Sequence, residues 1–359
     1  DQLVWLERLE ADHDNVRVAL EWCLDGGDVQ SGLRLVGALG YFWYLRGHEM
    51  EMAAWPARLL AAPGAETRTL ARAKALLTAS RAVTTAQGDP TTARTLLEER
   101  LAIGRELGDH AIVGTSLRFM GLNAQSQGDH GDACRLFEEG LAVSRAAGDR
   151  SIIAECLIDL GRLALWRGDY AAARALLDEA LVTSRQVGER RGVGGALEIL
   201  GQVAQSTGDF SEARRCWHES LATYEDLGDR LGIAAVQNLL GRLAYLKGDY
   251  AASKTAHRTC MSLTRSLGRM DWFGASFDGL ACLAVAAGQF ARALRLAGAS
   301  AAHRERFPNE TVLYGRDELA RAVASAREAL GQPEADACWE AGRAMTLEQA
   351  ITEALAGDD

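Results

Sequence analysis

The chain has 359 residues and a formal net charge of −10 at pH 7, without a lysine- or arginine-rich block. This balance argues against sequence-independent binding to nucleic acid or to anionic lipid. No run of eighteen apolar residues is present, so the sequence gives no indication of a membrane span. Seven scattered cysteines without a C-x-x-C pair indicate reduced, mostly buried thiols. We therefore expect a cytoplasmic protein without a membrane partner.

Residues 1–65 are expected to form an N-terminal helical cap that contains one degenerate repeat. Leu39-Gly40, followed by Leu45-Arg46-Gly47-His48, is the weak form of a pattern that becomes regular later in the chain. Pro56 interrupts an otherwise helical run and is expected to kink or end that helix. A cap is needed because the open end of a repeat array exposes its apolar core.

A column of glycines at intervals of twenty residues divides the middle of the chain into helix-length segments. A helix often ends on a residue in the left-handed conformation, which glycine adopts without steric cost. An aspartate directly after the glycine can then cap the next helix. Each Gly-Asp pair is thus predicted to end one helix and begin another. The glycines are Gly88, Gly108, Gly128, Gly148, Gly168, Gly188, Gly208, Gly228, Gly248, Gly268 and Gly288, and Asp follows all of them except Gly188, Gly268 and Gly288.

The true period is forty residues, because two kinds of helix alternate. Small residues recur at Gly121, Gly161, Gly201, Gly241 and Ala281, and again at Ala93, Ala133, Ala173, Ala213, Ser253 and Ala293. Large apolar residues recur at Leu77, Leu117, Leu157, Leu197 and Phe277, and again at Leu97, Phe137, Leu177 and Trp217. Small columns let antiparallel helices approach closely, and large columns fill a continuous core between neighbouring hairpins.

Three repeats carry a recognisable signature. Leu160-Gly161, then Gly168-Asp169-Tyr170, Ala173 and Ala180-Leu181 resemble the tetratricopeptide (TPR) signature, and the pattern returns from Leu200 and from Leu240. The resemblance covers residues 66–300, with a period of forty instead of the usual thirty-four. It implies an all-α, right-handed TPR superhelix of about seven antiparallel hairpins, which presents a binding surface and is not an enzyme.

In such superhelices the first helix of each pair faces the concave groove, so its polar residues are candidates for binding a ligand or partner. Arginines and aromatic residues carry much of the energy of protein interfaces, although a solvated polar face is the alternative explanation. Leu122 and Arg162 stand where chaperone-tail-binding repeats need asparagines, so we do not expect that class of partner. The groove candidates are Arg118, Glu155, Arg162, Trp166, Glu198, Gln202, Asn238, Arg242, Tyr245 and Asp278.

One repeat departs from the apolar columns. Gln237 replaces a leucine, His257 replaces Phe or Trp, and Ser253 replaces an alanine. All three are expected to face inward, where buried polar groups need partners. They either satisfy one another by hydrogen bonds or line a pocket for a small ligand.

Residues 301–359 are expected to cap the other end of the array, with Thr346 and Gln349 forming a capping box for a final helix. Two terminal segments have a narrower resemblance. Residues 5–17, WLERLEADHDNVR, and residues 339–350, WEAGRAMTLEQA, resemble the opening and closing segments of the helical region in large bacterial signal-transduction ATPases. These include LuxR-type, maltose-regulator-like and antibiotic-production regulators.

That resemblance implies a sensory region that binds an inducer or partner segment and restrains an ATPase module elsewhere in the same protein. It implies no direct contact of this region with nucleic acid. A free-standing TPR scaffold that assembles other proteins is the alternative. We expect no cofactor, because no G-x-x-x-x-G-K-[ST] loop occurs. No metal site is expected either, since the seven histidines show no H-x-x-x-H spacing and no cysteine at zinc-ligand spacing.

Overall fold

The computed structural model describes residues 2–85, 89–269, 272–307 and 316–356, and within these ranges the chain is helical with no β-strand. Two kinds of helix alternate through the middle of the chain, as predicted from the period of forty. The helices are α1 (Gln2–Ala11), α2 (His13–Leu24), α3 (Val29–Arg46), α4 (Glu49–Leu60), α5 (Leu70–Thr85), α6 (Pro90–Leu107), α7 (His110–Ser126), α8 (His130–Ala147), α9 (Arg150–Trp166), α10 (Tyr170–Val187), α11 (Arg190–Ser206), α12 (Phe210–Leu227), α13 (Arg230–Leu246), α14 (Tyr250–Ser266), α15 (Gly274–Ala286), α16 (Phe290–Arg306), α17 (Arg316–Leu330), α18 (Gln332–Arg343) and α19 (Leu347–Leu355).

The chain divides into two compact units. Unit 1 comprises Asp1–Thr207 with Asp226–Gly228, and unit 2 comprises Gly208–Glu225 with Asp229–Asp359. In unit 1 the pairs α3/α4, α5/α6, α7/α8 and α9/α10 pack as hairpins, and in unit 2 the pairs α13/α14 and α15/α16 do so. The division at 1–65, 66–300 and 301–359 follows the repeat pattern instead of compactness, and it stays a prediction.

The glycine column ends helices in the way the sequence predicts. Each described glycine of the column, from Gly108 to Gly288, has a positive φ between 64° and 84°; Gly88 lies outside the described residues. At Gly168 (φ 77°) the turn satisfies the end of α9, since the Asp169 N–H donates to the carbonyl of Ala164. Asp169 then caps α10 by accepting the Ala172 N–H at 3.0 Å. The same aspartate cap occurs at Asp89, Asp109, Asp129, Asp149, Asp209, Asp229 and Asp249.

Replacing Gly168 with valine is expected to destabilise the chain by about 1 kcal/mol or more, because a β-branched residue resists positive φ. The expected loss of stability does not come from a steric clash, since a Cβ at Gly168 would meet nothing within 4 Å. Gln186→Ala, on the exposed surface of α10, is the control. Equal melting temperatures for the two variants would contradict a left-handed requirement at Gly168.

The small and large columns pack against each other. A Cβ at Gly121 would lie 2.5 Å from the ring of Phe137, and one at Gly161 would lie 2.7 Å from Leu177, so each glycine makes room for a large side chain of the next helix. Phe137, Leu177 and Trp217 are completely buried. The columns do mark core positions of the hairpins, but their pairing differs from the predicted one: a small residue packs against a large one within each hairpin, where small-to-small contact was expected.

The first and last parts of the described chain, residues 2–60 and 316–355, are also largely helical, as expected. In α4 the helix continues through Pro56 to Leu60, so Pro56 does not end it. At the other end, Thr346 and Gln349 form the predicted capping box of α19: the Thr346 hydroxyl accepts the Gln349 N–H, and the Gln349 side chain accepts the Thr346 N–H. None of the helices in the described residues is both long and apolar enough to cross a membrane.

Candidate functional site

The inner face of unit 1 is formed by its odd-numbered helices. Each of α5, α7 and α9 packs against its hairpin partner and also contacts the next odd-numbered helix, as far as α11. α3 packs on α5 and extends this face toward the N-terminus. Side chains that these helices project away from their partners therefore share one surface, here called the unit 1 groove.

Three arginines and three aromatic rings meet in this groove. The guanidinium carbon of Arg81 (α5) lies 4.6 Å from the ring centre of Tyr44 and 5.5 Å from that of Phe119 (α7). Arg191, at the start of α11, lies 5.9 Å from Tyr41 and 5.8 Å from Tyr44, both on α3. Helices far apart in sequence thus contribute to one group of stacked cations and rings, the groove cluster of Tyr41, Tyr44, Arg81, Arg118, Phe119 and Arg191.

Arg118 connects the groove cluster to two carboxylates. Its Nε donates to Asp159 Oδ2 at 2.6 Å and its Nη1 to Glu155 Oε2 at 3.1 Å, while its guanidinium lies 5.4 Å from the Phe119 ring. Burial alone would lower the pKa of Arg118, but the Asp159 and Glu155 carboxylates outweigh it and raise that pKa above its ordinary value. These two ion pairs hold α7 to α9 and fix the orientation of the Arg118 guanidinium.

Arg81 has the opposite electrostatic environment. Burial lowers the pKa of its guanidinium, and the positive charges of Arg191 and Arg118 act in the same direction. Even so, an arginine keeps its proton near neutral pH. Arginines that converge in a half-buried place raise the local positive potential, which the Glu155 and Asp159 carboxylates offset in part.

The remaining unit 1 candidates extend this surface along α9 and α11. Arg162 follows Asp159 by one turn on the same face of α9; it is half-buried and forms no ion pair within the described residues. Trp166 lies at the end of α9, is 43% exposed, and packs on His130 with ring centres 3.9 Å apart. Glu198 and Gln202 are half-buried on α11, where Gln202 occupies the position that Arg162 holds forty residues earlier.

The unit 2 candidates are largely engaged by the C-terminal part of the chain. Arg242 donates to Glu318 of α17 at 3.0 Å. Asp278 is buried, accepts the Ser300 hydroxyl at 2.7 Å, and forms an ion pair with Arg304. Tyr245 packs on Tyr250 with ring centres 5.7 Å apart. The half-buried Asn238 has an amide oxygen without a hydrogen-bond partner in the described part of unit 2.

In the repeat with polar substitutions, Ser253 and His257 do not satisfy each other by a hydrogen bond, and the pocket for a small ligand stays a prediction. Gln237 was expected to face the core but is only half-buried, whereas Ser253 and His257 are buried. Both ring nitrogens of His257 lack hydrogen-bond partners among the described residues, and the ring packs against Gly241 and Gly279. Burial lowers the pKa of His257 to about 4. The imidazole therefore serves as a neutral core side chain, like Phe137 or Leu177 in the same column.

Sequence reasoning missed Tyr41, Tyr44, Arg81, Phe119, Asp159 and Arg191. One signal was present, because Arg81 stands in the column that holds Gly121, Gly161 and Gly201 in later repeats. A large cation in a column of glycines indicates a local change of packing. The other residues have no such signal in the sequence, because their contacts depend on the curvature of unit 1.

Several solved structures share this helical arrangement at low sequence identity. The apo form of RapI is 12% identical, with a TM-score of 0.57 over 75% of this chain and 96% of that one. A Rap protein complexed with Competence and Sporulation Factor is 14% identical, with a TM-score of 0.59 over 74% and 72% of the two chains. The Rap conjugation gene regulator of plasmid pLS20, in complex with the Phr* peptide, is 14% identical, with a TM-score of 0.57 over 91% and 76%. At these identities the likeness shows the fold alone.

No curated protein matches the chain. The sequence profile of the tetratricopeptide repeat, in contrast, matches residues 81–146, 113–186 and 193–266, which together make up half of the chain. These matches fall on the helices whose glycine ends, aspartate caps and small–large packing are described above. The chain therefore belongs to the tetratricopeptide-repeat family.

Proposed function

We propose that this chain is a non-catalytic sensing module that binds a peptide, or an extended segment of a partner protein, in the unit 1 groove. The observation that carries the proposal is the groove cluster, in which three guanidinium groups and three aromatic rings share one inner face. Support by analogy comes from two structural neighbours with a similar fold, one complexed with Competence and Sporulation Factor and the other with the Phr* peptide.

The chemistry of the groove favours a ligand that carries a carboxylate beside an apolar or aromatic group. Arginine presents paired N–H donors that match a carboxylate, and its flat face also stacks on rings. Arg162 offers such donors without an ion pair to break within the described residues, one turn beyond the carboxylate of Asp159. Tyr41 and Tyr44, beside Arg81 and Arg191, supply flat apolar surface at low entropic cost.

The wider setting we propose is a bacterial transcriptional regulator in which this module controls an ATPase in the same protein. This setting rests on the resemblance of residues 5–17 and 339–350 to the segments that open and close the helical region of such regulators. A free-standing scaffold is the second candidate, favoured by the family's general use in protein assembly. The coding sequence upstream distinguishes them: an in-frame phosphate-binding loop supports the regulator, whereas a start codon directly upstream supports the scaffold.

Binding is tested with Arg162→Ala and Arg191→Ala, singly and together. Peptides selected from a random display library on the whole chain are expected to be enriched in carboxylates. The double variant is expected to weaken their binding about tenfold or more, which is the scale of a lost interface hot spot. Fluorescence anisotropy of the labelled peptides measures this change.

Arg135→Ala is the matched control, because Arg135 is an exposed arginine of α8 whose ion-pair partners in the described part of the chain are Asp132 and Glu139 of its own helix. It should leave peptide affinity unchanged. Circular dichroism and melting temperature should be the same for all variants, because the replaced side chains are not core. Equal peptide affinity for the wild-type chain and the double variant would exclude the unit 1 groove as the binding site.

A further inference from the structure

The N-terminal part of unit 1 brings together two histidines and two glutamates from three helices and a helix cap. Glu10 lies on α1, His13 begins α2, His48 is the N-cap residue of α4, and Glu51 follows in the first turn of α4. One ligand atom from each of Glu10, His13 and His48 lies within 4.8 Å of the others. His48 Nε2 is 3.1 Å from Glu10 Oε1, and the two imidazole ring centres are 4.3 Å apart.

The hydrogen bonding around His13 is in conflict. The Trp43 indole N–H donates to His13 Nε2 at 3.2 Å, so this nitrogen acts there as an acceptor. The same nitrogen lies 2.7 Å from Glu51 Oε2, a buried oxygen without a hydrogen-bond partner among the described residues. One nitrogen cannot both accept from Trp43 and donate to Glu51. A cation bound to this nitrogen would take the lone pair that now accepts from Trp43 and would neutralise the Glu51 oxygen beside it.

We propose that Glu10, His13 and His48 bind a zinc ion, with the Glu51 carboxylate beside it. Two imidazoles and a carboxylate form a ligand set that Zn²⁺ uses widely. With bonds of 2.0–2.1 Å, a tetrahedral ion needs ligand atoms about 3.3 Å apart. Side-chain adjustments of about an ångström would reach this spacing from the observed 4.8 Å limit. The bound ion would fasten α1 and α2 to the start of α4 and so stabilise the N-terminal end of unit 1.

Two arginines hold the carboxylates of this cluster in place. Arg17 holds the other Glu51 oxygen at 2.5 Å, and Arg46 Nε lies 3.9 Å from Glu10 Oε2. These contacts orient the two carboxylates in the way that outer groups orient metal ligands.

The sequence spacing gave no metal prediction, because Glu10, His13 and His48 fit no local zinc motif. They come together only through the packing of the first four helices. The inference does not depend on the proposed peptide-binding function, since the groove cluster contains none of these residues.

The test is calorimetric titration of the whole chain with ZnCl₂. One ion per chain is expected, together with a rise in melting temperature. Glu10→Gln and His48→Ala replace an exposed and a half-buried ligand and should leave the fold intact. Each is expected to weaken zinc binding about tenfold or more. Glu7→Gln on α1 and His110→Ala on α7 replace exposed residues of the same types and should bind zinc like the wild type.

Cobalt replacement identifies the ligands. Co²⁺ bound by nitrogen and oxygen should give visible d–d absorption in the wild type and in both controls, and this absorption should be absent in His48→Ala. Failure of the wild type to bind zinc would overturn the proposal. Unchanged affinity in both ligand variants, or a thiolate-to-cobalt charge-transfer band that assigns the ion to a cysteine, would overturn it equally.

Discussion

Replacing Gly342 with alanine is expected to destabilise unit 2 by about 3 kcal/mol, the upper part of the range for overpacking a core. α18 crosses α16 here, and a Cβ at Gly342 would overlap the backbone carbonyl of Arg295. Facing it, a Cβ at Gly298 would overlap the backbone carbonyl of Trp339. Two glycines thus let two helix backbones touch, and a backbone cannot move aside as a flexible side chain can.

Chemical denaturation measures the loss of stability in Gly342→Ala, and hydrogen exchange in α16 and α18 gives the local readout. Gly131→Ala is the matched control, because Gly131 is an exposed helical residue of α8 whose added Cβ would meet only Asp129 Oδ1, at 3.6 Å. This control should be neutral or stabilising by about 0.5–1 kcal/mol, since alanine is the better helix former. Equal stability of Gly342→Ala and the wild type would show that α16 and α18 do not approach each other so closely.

Replacing His257 with leucine is expected to make unit 2 more stable in acid and to flatten the dependence of its stability on pH. The unfolded chain takes up a proton on this imidazole near the ordinary value of 6.5, whereas burial lowers the pKa in the folded state to about 4. Between these values the unfolded state binds more protons, so folded-state stability is complete above pH 6.5 and declines as pH falls toward 4. At about 1.4 kcal/mol per unit, the total loss is about 3 kcal/mol.

Leucine suits this position because Leu177 holds the same column and packs on Gly161, as His257 packs on Gly241. The stability gain of His257→Leu over the wild type should be about 2 kcal/mol larger at pH 5 than at pH 8. Urea denaturation at both pH values, with hydrogen exchange of α13 and α14 as the local readout, measures the difference. His110→Leu, at an exposed histidine of α7, should leave the pH profile unchanged. A gain of the same size at both pH values would contradict a buried neutral imidazole.

The inner faces of the two units differ in the elements that their polar side chains contact. In unit 1 the groove cluster and Arg162 lie on helices of the repeat array. In unit 2 Arg242 is held by Glu318 of α17 and Asp278 by Ser300 and Arg304. The groove experiment therefore uses Arg162 and Arg191 in unit 1. Arg242 stays a predicted binding residue, whose Glu318 ion pair a ligand would have to break.

The sequence by itself determined the helices, their ends and their alternation. A glycine such as Gly168 ends a helix through its own backbone preference, and Asp169 begins the next through a hydrogen bond three residues away, so both signals are local. The column of Gly121 and Gly161 likewise identified core positions, because packing within a hairpin repeats with the period of the sequence, but their partners Phe137 and Leu177 are large where small residues were expected. Pro56 does not end α4, which continues for one more turn beyond it, and a kink at Pro56 stays a prediction.

Only the tertiary structure decided which polar residues meet. Arg191 reaches Tyr41 and Tyr44 from 150 and 147 residues away along the chain, and Arg242 meets Glu318 through the return of α17 onto its unit. Likewise, Glu10, His13 and His48 come together through the packing of the first four helices. Such contacts depend on the angles between helices and on the curvature of each unit. Those angles arise from the sum of many side-chain contacts, and no single spacing in the sequence records them.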